Sequence, residues 1–129
     1  MKVRFDAREG LVVVPVSISG PRGTAQLRLA LDTGASSTLV APFHLEAIGC
    51  DPGLGQERVQ VTTGSGVEFV VRLKVSKISA LGQNLRDFPV LGHTLPPSAT
   101  VDGLLGLDFL RGTRLEIDFK KGAVQLKGR

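Results

Sequence analysis

The 129-residue sequence has no tryptophan, no tyrosine and a single cysteine, Cys50. One cysteine cannot form an intrachain disulfide, so we expect Cys50 to pack as a small apolar side chain. The two histidines, His44 and His93, lie far apart, with neither metal-ligand spacing nor a nucleophile nearby in sequence. We therefore predict no metal site, and a structural or solvent-facing role for each histidine.

Long apolar runs are also missing. No segment approaches the roughly eighteen apolar residues of a membrane-spanning helix. The first residues lack the apolar stretch and the small-residue cleavage site of a signal peptide. We therefore expect a cytoplasmic protein with no membrane partner.

The net charge of +4 is concentrated at the C-terminal end of the sequence. Residues 1–110 carry equal numbers of basic and acidic side chains, whereas residues 111–129 carry six Lys or Arg against Glu116 and Asp118. Phe119 is the only aromatic residue in this basic segment, which therefore lacks a stacking platform for bases. A solvated strand face is favoured over a nucleic-acid site, and salt-dependent binding to DNA or RNA would support the weaker alternative.

Glycine-rich turns divide the chain into short segments with alternating polar and apolar residues, a pattern typical of β-strands. In Thr24–Leu31, for example, alanine and leucine alternate with polar residues. Further strands are predicted at 11–18, 37–40, 58–62, 71–76, 85–91, 114–119 and 123–126, the last two forming a hairpin. Pro15 indicates an edge position or a break in its strand.

Only two segments are predicted to be helical. Pro42–Gly49 has proline at a first-turn position and glycine where a helix would end, and Gly106–Gly112 is bounded by glycines. No repeat, linker or low-complexity segment divides the sequence. The chain is therefore predicted to be one all-β domain, residues 1–129, with one or two short helices.

Asp32-Thr33-Gly34-Ala35 follows directly after the apolar strand that ends at Leu31. A carboxylate held after a buried strand by a glycine turn is positioned for general acid–base chemistry. Asp and Gly are also common in ordinary turns, so this motif alone leaves a turn as the alternative.

A second motif lies about seventy residues later, in Val101–Leu110, where Leu104 and Leu105 precede Gly106 and a short helix. Together with the Asp32 motif, this segment resembles the retropepsin-like aspartic proteases, in their single-domain, cellular rather than viral form. The resemblance implies an acid-protease barrel with one lobe per chain, in which the Gly106 segment crosses beside the strand that bears Asp32.

The segment 57–70 is predicted to form a glycine-tipped hairpin, and the resemblance implies that it is the flap that covers the substrate. An ordinary hairpin is the alternative, because Gly-Ser-Gly is a common turn. The flap and the cleft would bind substrate through Ala35, Gly64, Ser65 and Gly66.

The resemblance further implies an aspartic endopeptidase with peptide or protein substrates and no cofactor. It implies that Asp32 is the catalytic residue, that Thr33 hydrogen-bonds across a homodimer, and that Gly34 gives the substrate backbone room. One lobe per chain means that two protomers supply the two carboxylates. Pepsin-like motifs carry a hydroxyl where this chain has Ala35, so we expect a pH optimum nearer neutral than pepsin's.

Several features depart from the viral pattern. The acidic residue and the arginine that pair in viral enzymes are replaced by Ser36 and Leu107, and the C-terminal hairpin is longer than the strand by which viral protomers interleave. The dimer must therefore be stabilised differently. Asp102 is predicted to be a turn residue and Asp108 a helix-start or exposed residue. A catalytically silent dimerisation or peptide-binding module is the alternative function.

Overall fold

The computed structural model describes residues 1–51, 57–63 and 66–129. Ten strands and two short helices follow one another in these ranges. In chain order they are β1 (Lys2–Arg4), β2 (Val13–Gly20), β3 (Gly23–Leu31), β4 (Leu39–Val40), α1 (Pro42–Ala47), β5 (Glu57–Thr63), β6 (Gly66–Ala80), β7 (Gln83–Gly92), β8 (Gly103–Leu105), α2 (Leu107–Leu110), β9 (Arg114–Asp118) and β10 (Ala123–Lys127).

Six of these strands close into a barrel. The hydrogen-bonded order is β2-β3-β8-β4-β7-β6, and β2 pairs again with β6 to complete the ring. Strand β5 lies outside the ring and pairs only with the first half of the long strand β6. The fold is thus mostly β with two small helices, which confirms the predicted class.

The barrel interior is filled by the apolar side of each alternating strand. On β2, Val14, Val16 and Ile18 are buried while Pro15 between them is exposed. The β2–β6 pairing begins at Val16, so the missing N–H of Pro15 costs no hydrogen bond to that neighbour. This arrangement explains how a proline fits inside an eight-residue strand.

Both helices pack against this core and are shorter than predicted. In α1 only Leu45 is buried, and α2 is a single turn with Phe109 and Leu110 buried. The Phe109 ring meets Phe88 edge to face, with centroids 6.0 Å apart. Cys50 packs against the core as predicted, and its burial raises the pKa of the thiol.

A second sheet forms from the two ends of the chain, in the order β1-β10-β9. The predicted hairpin is present, with Asp118 opposite Ala123 at its end. Strand β1 was not predicted, because its three residues carry no periodic pattern and gain their structure from pairing with β10. Strand β10 therefore has a neighbour on both sides within its own chain. Among the described residues, no helix is long and apolar enough to cross a membrane.

Candidate active site

Asp32 lies at the point where β3 leaves the barrel. Its backbone N–H donates to Leu105 O at 3.0 Å, which extends by one residue the parallel pairing of Leu31 with Leu105. Two adjacent strands therefore fix the backbone from which the half-buried Asp32 side chain projects.

The turn after Asp32 is closed by the carboxylate itself. Gly34 N–H donates to Asp32 Oδ1 at 2.8 Å, and Ala35 N–H donates to the backbone carbonyl of Asp32 at 3.2 Å. A Cβ atom on Gly34 would lie only 3.2 Å from Asp32 Oδ1, so glycine also allows the carboxylate to sit this close. One carboxylate oxygen thus has a fixed position.

Thr33 stands at the exposed tip of this turn. Within the described ranges, its hydroxyl has no hydrogen-bond partner. Its exposure leaves Thr33 accessible to a second molecule.

The segment containing Gly106 lies directly against the Asp32 turn. Leu107 N–H donates to Ala35 O at 2.8 Å. A Cβ atom on Gly106 would lie 2.7 Å from the carbonyl carbon and oxygen of Ser37 and 2.8 Å from Ala35 O. Backbone atoms cannot move aside as a flexible side chain can, so only glycine permits this approach.

Thr38, which is fully buried, connects the Asp32 loop to the segment that contains Gly106. Its hydroxyl donates to Asp108 Oδ1 at 2.7 Å and accepts from Gly106 N–H at 3.1 Å. The Asp108 carboxylate also accepts from Thr38 N–H at 3.0 Å. We name Thr38, Gly106 and Asp108 the loop clamp, because together they hold the Asp32 loop on the start of α2.

Asp108 lies in the first turn of α2, as one of the two predicted roles required, but it is half-buried and hydrogen-bonded to Thr38 rather than exposed. Sequence analysis missed Thr38 because its partners are about seventy residues away. The available signal was a threonine directly before the apolar residues Leu39 and Val40, since a hydroxyl that becomes buried requires a partner.

Asp102, which was predicted to be a turn residue, also forms hydrogen bonds to strand β3. Its Oδ2 accepts from Arg28 N–H at 2.8 Å, and its own N–H donates to Arg28 O at 2.8 Å. His44 Nε2 lies 3.1 Å from Asp102 Oδ1. Asp102 therefore links β3 to α1 through Arg28 and His44. His44 has a structural role, one of the two roles predicted for it.

Strands β5 and β6 form the predicted hairpin over 57–70, with Glu57 opposite Arg72 and Thr63 opposite Gly66. Gly66 is exposed, with a φ of +123° that suits glycine. Gly64 and Ser65, the other predicted flap residues, lie outside the described residues.

A cavity of about 490 Å³ separates this hairpin from the Asp32 loop. We call it the cleft. Its walls are the loop residues 34–37, the β5 residues 59–62, and the side chains Leu39, Arg72, Leu91, His93 and Leu104. The structure thus brings Gly34 and Ala35 together with the hairpin around a space that an extended peptide could enter. Across the described part of the chain, no three His, Cys, Asp or Glu residues are grouped to hold a metal ion.

Comparisons with known proteins agree with this geometry. A family model described as aspartyl protease matches residues 14–109. The crystal structure of a retropepsin-like aspartic protease from Rickettsia conorii is similar in fold, with a TM-score of 0.68 at 20% sequence identity. That similarity covers 98% of this chain and 88% of the other, whereas no curated protein sequence matches significantly.

The matched segment runs from β2 to α2 and contains the Asp32 turn, β8 and the loop clamp. It covers well over half of the chain. The fold, with its crossing of β8 beside β3, is the one that the sequence resemblance implied. The chain belongs to the aspartyl protease family and has the retropepsin-like fold.

Proposed function

We propose that this protein is an aspartic endopeptidase whose catalytic pair consists of Asp32 from each of two identical protomers. The observation that carries the proposal is the position of Asp32, half-buried at a strand end, with Oδ1 held by the N–H of Gly34, a residue that lines the cleft. A carboxylate with fixed geometry beside a peptide-sized space is what general acid–base hydrolysis requires.

A second copy of the chain is needed because the other carboxylates near the Asp32 loop already form structural hydrogen bonds. Asp108 accepts from Thr38, and Asp102 accepts from Arg28 and contacts His44. Both are committed to holding the fold, so neither is suited to act as a partner of Asp32. A two-fold axis that passes near the Asp32 loop would oppose each Asp32 to its equivalent.

The exposed tip of the loop supports the same association. Thr33 is exposed at that tip and has no hydrogen-bond partner among the described residues, and a two-fold axis there would bring it to the matching loop. Strand β10 already has a neighbour on each side within its own chain. The protomers are therefore expected to associate without the interleaved terminal strands of the viral enzymes.

The chemistry then follows from the shared proton of the pair. Two close carboxylates cannot both ionise cheaply, so one Asp32 is charged while the other is neutral. The charged one removes a proton from a water molecule, and the water oxygen attacks the scissile carbonyl carbon as the neutral one donates a hydrogen bond to the carbonyl oxygen. When the tetrahedral intermediate collapses, the C–N bond breaks and a carboxyl group of the pair protonates the leaving amine.

The test is the incubation of wild-type protein and Asp32→Asn with a diverse peptide library, with and without pepstatin. We expect cleavage by the wild type, inhibition by pepstatin and loss of cleavage in the variant, because an amide cannot act as the general base. Asp87→Asn is the matched control, since Asp87 is exposed and its φ of +49° also suits asparagine. A dimeric wild type that cleaves no peptide would favour the binding-module alternative.

A further inference from the structure

The described cleft lining contains one guanidinium and one imidazole but no carboxylate. Arg72 and His93 contribute to its walls, and no Asp or Glu is among the described lining residues. The remaining lining side chains are apolar or uncharged, including Leu39, Leu91 and Leu104. A substrate side chain that enters here meets an apolar surface with a cationic edge.

The strand register places Arg72 at that edge. Arg72 on β6 pairs with Leu91 on β7 on one side and with Glu57 on β5 on the other. Arg72 Nη1 donates to Glu57 Oε1 at 2.7 Å, which uses one of the five N–H donors of the guanidinium. The Arg72 side chain remains 40% exposed, so further donors are available to a ligand.

His93 is held in a similar way beside the Asp32 loop. Its backbone N–H donates to Val40 O at 3.2 Å, and its Nε2 lies 3.0 Å from Glu68 Oε2. Neither Glu57 nor Glu68 lines the cleft. The two glutamates therefore hold Arg72 and His93 from outside the cleft, and the described residues of the cleft wall include hydrogen-bond donors but no carboxylate.

We propose that the cleft selects substrates with a glutamate or aspartate side chain near the cleaved bond, with Arg72 as the main specificity-determining residue and His93 as the second. The reason is physical, because burying a carboxylate against leucine side chains is costly unless a charged donor pairs with it. A neutral side chain gains nothing comparable from Arg72.

This inference rests on the proposed function, and the two-fold symmetry of the proposed dimer predicts where along the substrate the preference should appear. A two-fold dimer presents Arg72 twice, once on each side of the catalytic pair. The preference for an acidic residue should therefore appear at two substrate positions, placed symmetrically about the cleaved bond.

The experiment compares kcat/KM for peptides that differ only by Glu or Gln, scanned through each position around the cleavage site. We expect the wild type to favour Glu about tenfold at the two symmetric positions, a factor that corresponds to about 1.4 kcal/mol. Arg72→Gln should bring the Glu/Gln ratio close to one, and Arg72→Glu should reverse the preference towards Lys. Arg86→Gln, an exposed arginine on β7 that does not line the cleft, should leave the ratio unchanged.

Two further variants keep the inference testable if Arg72→Gln folds poorly. Arg72→Lys retains the charge without the planar donor fork, so the preference should weaken but keep its direction. His93→Gln should reduce the Glu/Gln ratio less than the loss of Arg72 does. Equal rates for Glu and Gln peptides in the wild type, or a preference that survives Arg72→Gln, overturn the inference.

Binding separates this inference from the proposed function. The Glu and Gln peptides can be titrated calorimetrically against Asp32→Asn, whose cleft keeps Arg72 and His93. Absence of cleavage by the wild type contradicts the proposed function alone. Equal affinities of the paired peptides for Asp32→Asn contradict the selection of acidic side chains, whether or not the wild type is active.

Discussion

Replacing Thr38 by valine tests whether the loop clamp holds the candidate active site together. Thr38 is the only buried polar residue in the described part of the chain, and valine preserves its shape while removing the hydroxyl. The change breaks the bond to Asp108 Oδ1 and leaves Gly106 N–H without an acceptor. Only the contact from Thr38 N–H to the carboxylate survives.

The expected loss of stability follows from these two bonds. A hydrogen bond to a charged acceptor contributes about 1.5–3 kcal/mol, and a buried N–H left without a partner costs about 1–3 kcal/mol. The methyl group that replaces the hydroxyl offsets about 1 kcal/mol. We therefore expect Thr38→Val to lower the free energy of unfolding by about 1.5–5 kcal/mol.

Urea unfolding monitored by circular dichroism measures this difference. Thr24→Val is the matched control, because Thr24 is exposed and its hydroxyl bonds only to Ser19. That variant should change stability by no more than about 0.5 kcal/mol. Thr38→Ser, which keeps the hydroxyl, should recover most of the loss. Equal effects of Thr38→Val and Thr24→Val would refute the clamp.

Three further predictions concern single positions. Gly106→Ala should destabilise the fold by about 3 kcal/mol in the same assay because its Cβ meets backbone atoms, whereas Gly10→Ala has open space and should not. Ala35→Ser should move the acidic limb of the pH–rate profile to lower pH by stabilising a charged carboxylate, and an unmoved limb would contradict this. Burial raises the pKa of Cys50, so iodoacetamide at pH 8 should alkylate it more slowly than in urea-unfolded protein, and equal rates would contradict burial.

The parts of the fold that sequence predicted are those set by local patterns. The alternation in Thr24–Leu31 gave β3, and the turn chemistry of Asp32 and Gly34 placed a carboxylate after it, where the structure has it. The crossing of β8 beside β3 followed from family resemblance, because no local pattern tells which strands become neighbours.

The features that sequence analysis missed depend on contacts between distant residues. Strand β1 is ordered by β10, over a hundred residues away, and Thr38 gains its role only where Asp108 meets it. The ion pair of Arg72 with Glu57 also arises from strand register, which the sequence pattern alone left open, and the contact of His93 with Glu68 joins residues of different segments.

The hydrogen bonds that hold the Asp32 loop come from its own chain, and this predicts how specific activity should depend on protein concentration. Leu105 O, Gly34 N–H and the loop clamp all belong to the same chain as the Asp32 they hold. A separated protomer should therefore keep its loop geometry and lose only the second carboxylate. On dilution we expect specific activity to fall as the dimer dissociates, while the circular dichroism spectrum stays unchanged. Analytical ultracentrifugation over the same range should show the mass halving where activity falls, and full activity in a strictly monomeric sample would rule out a catalytic pair shared between two chains.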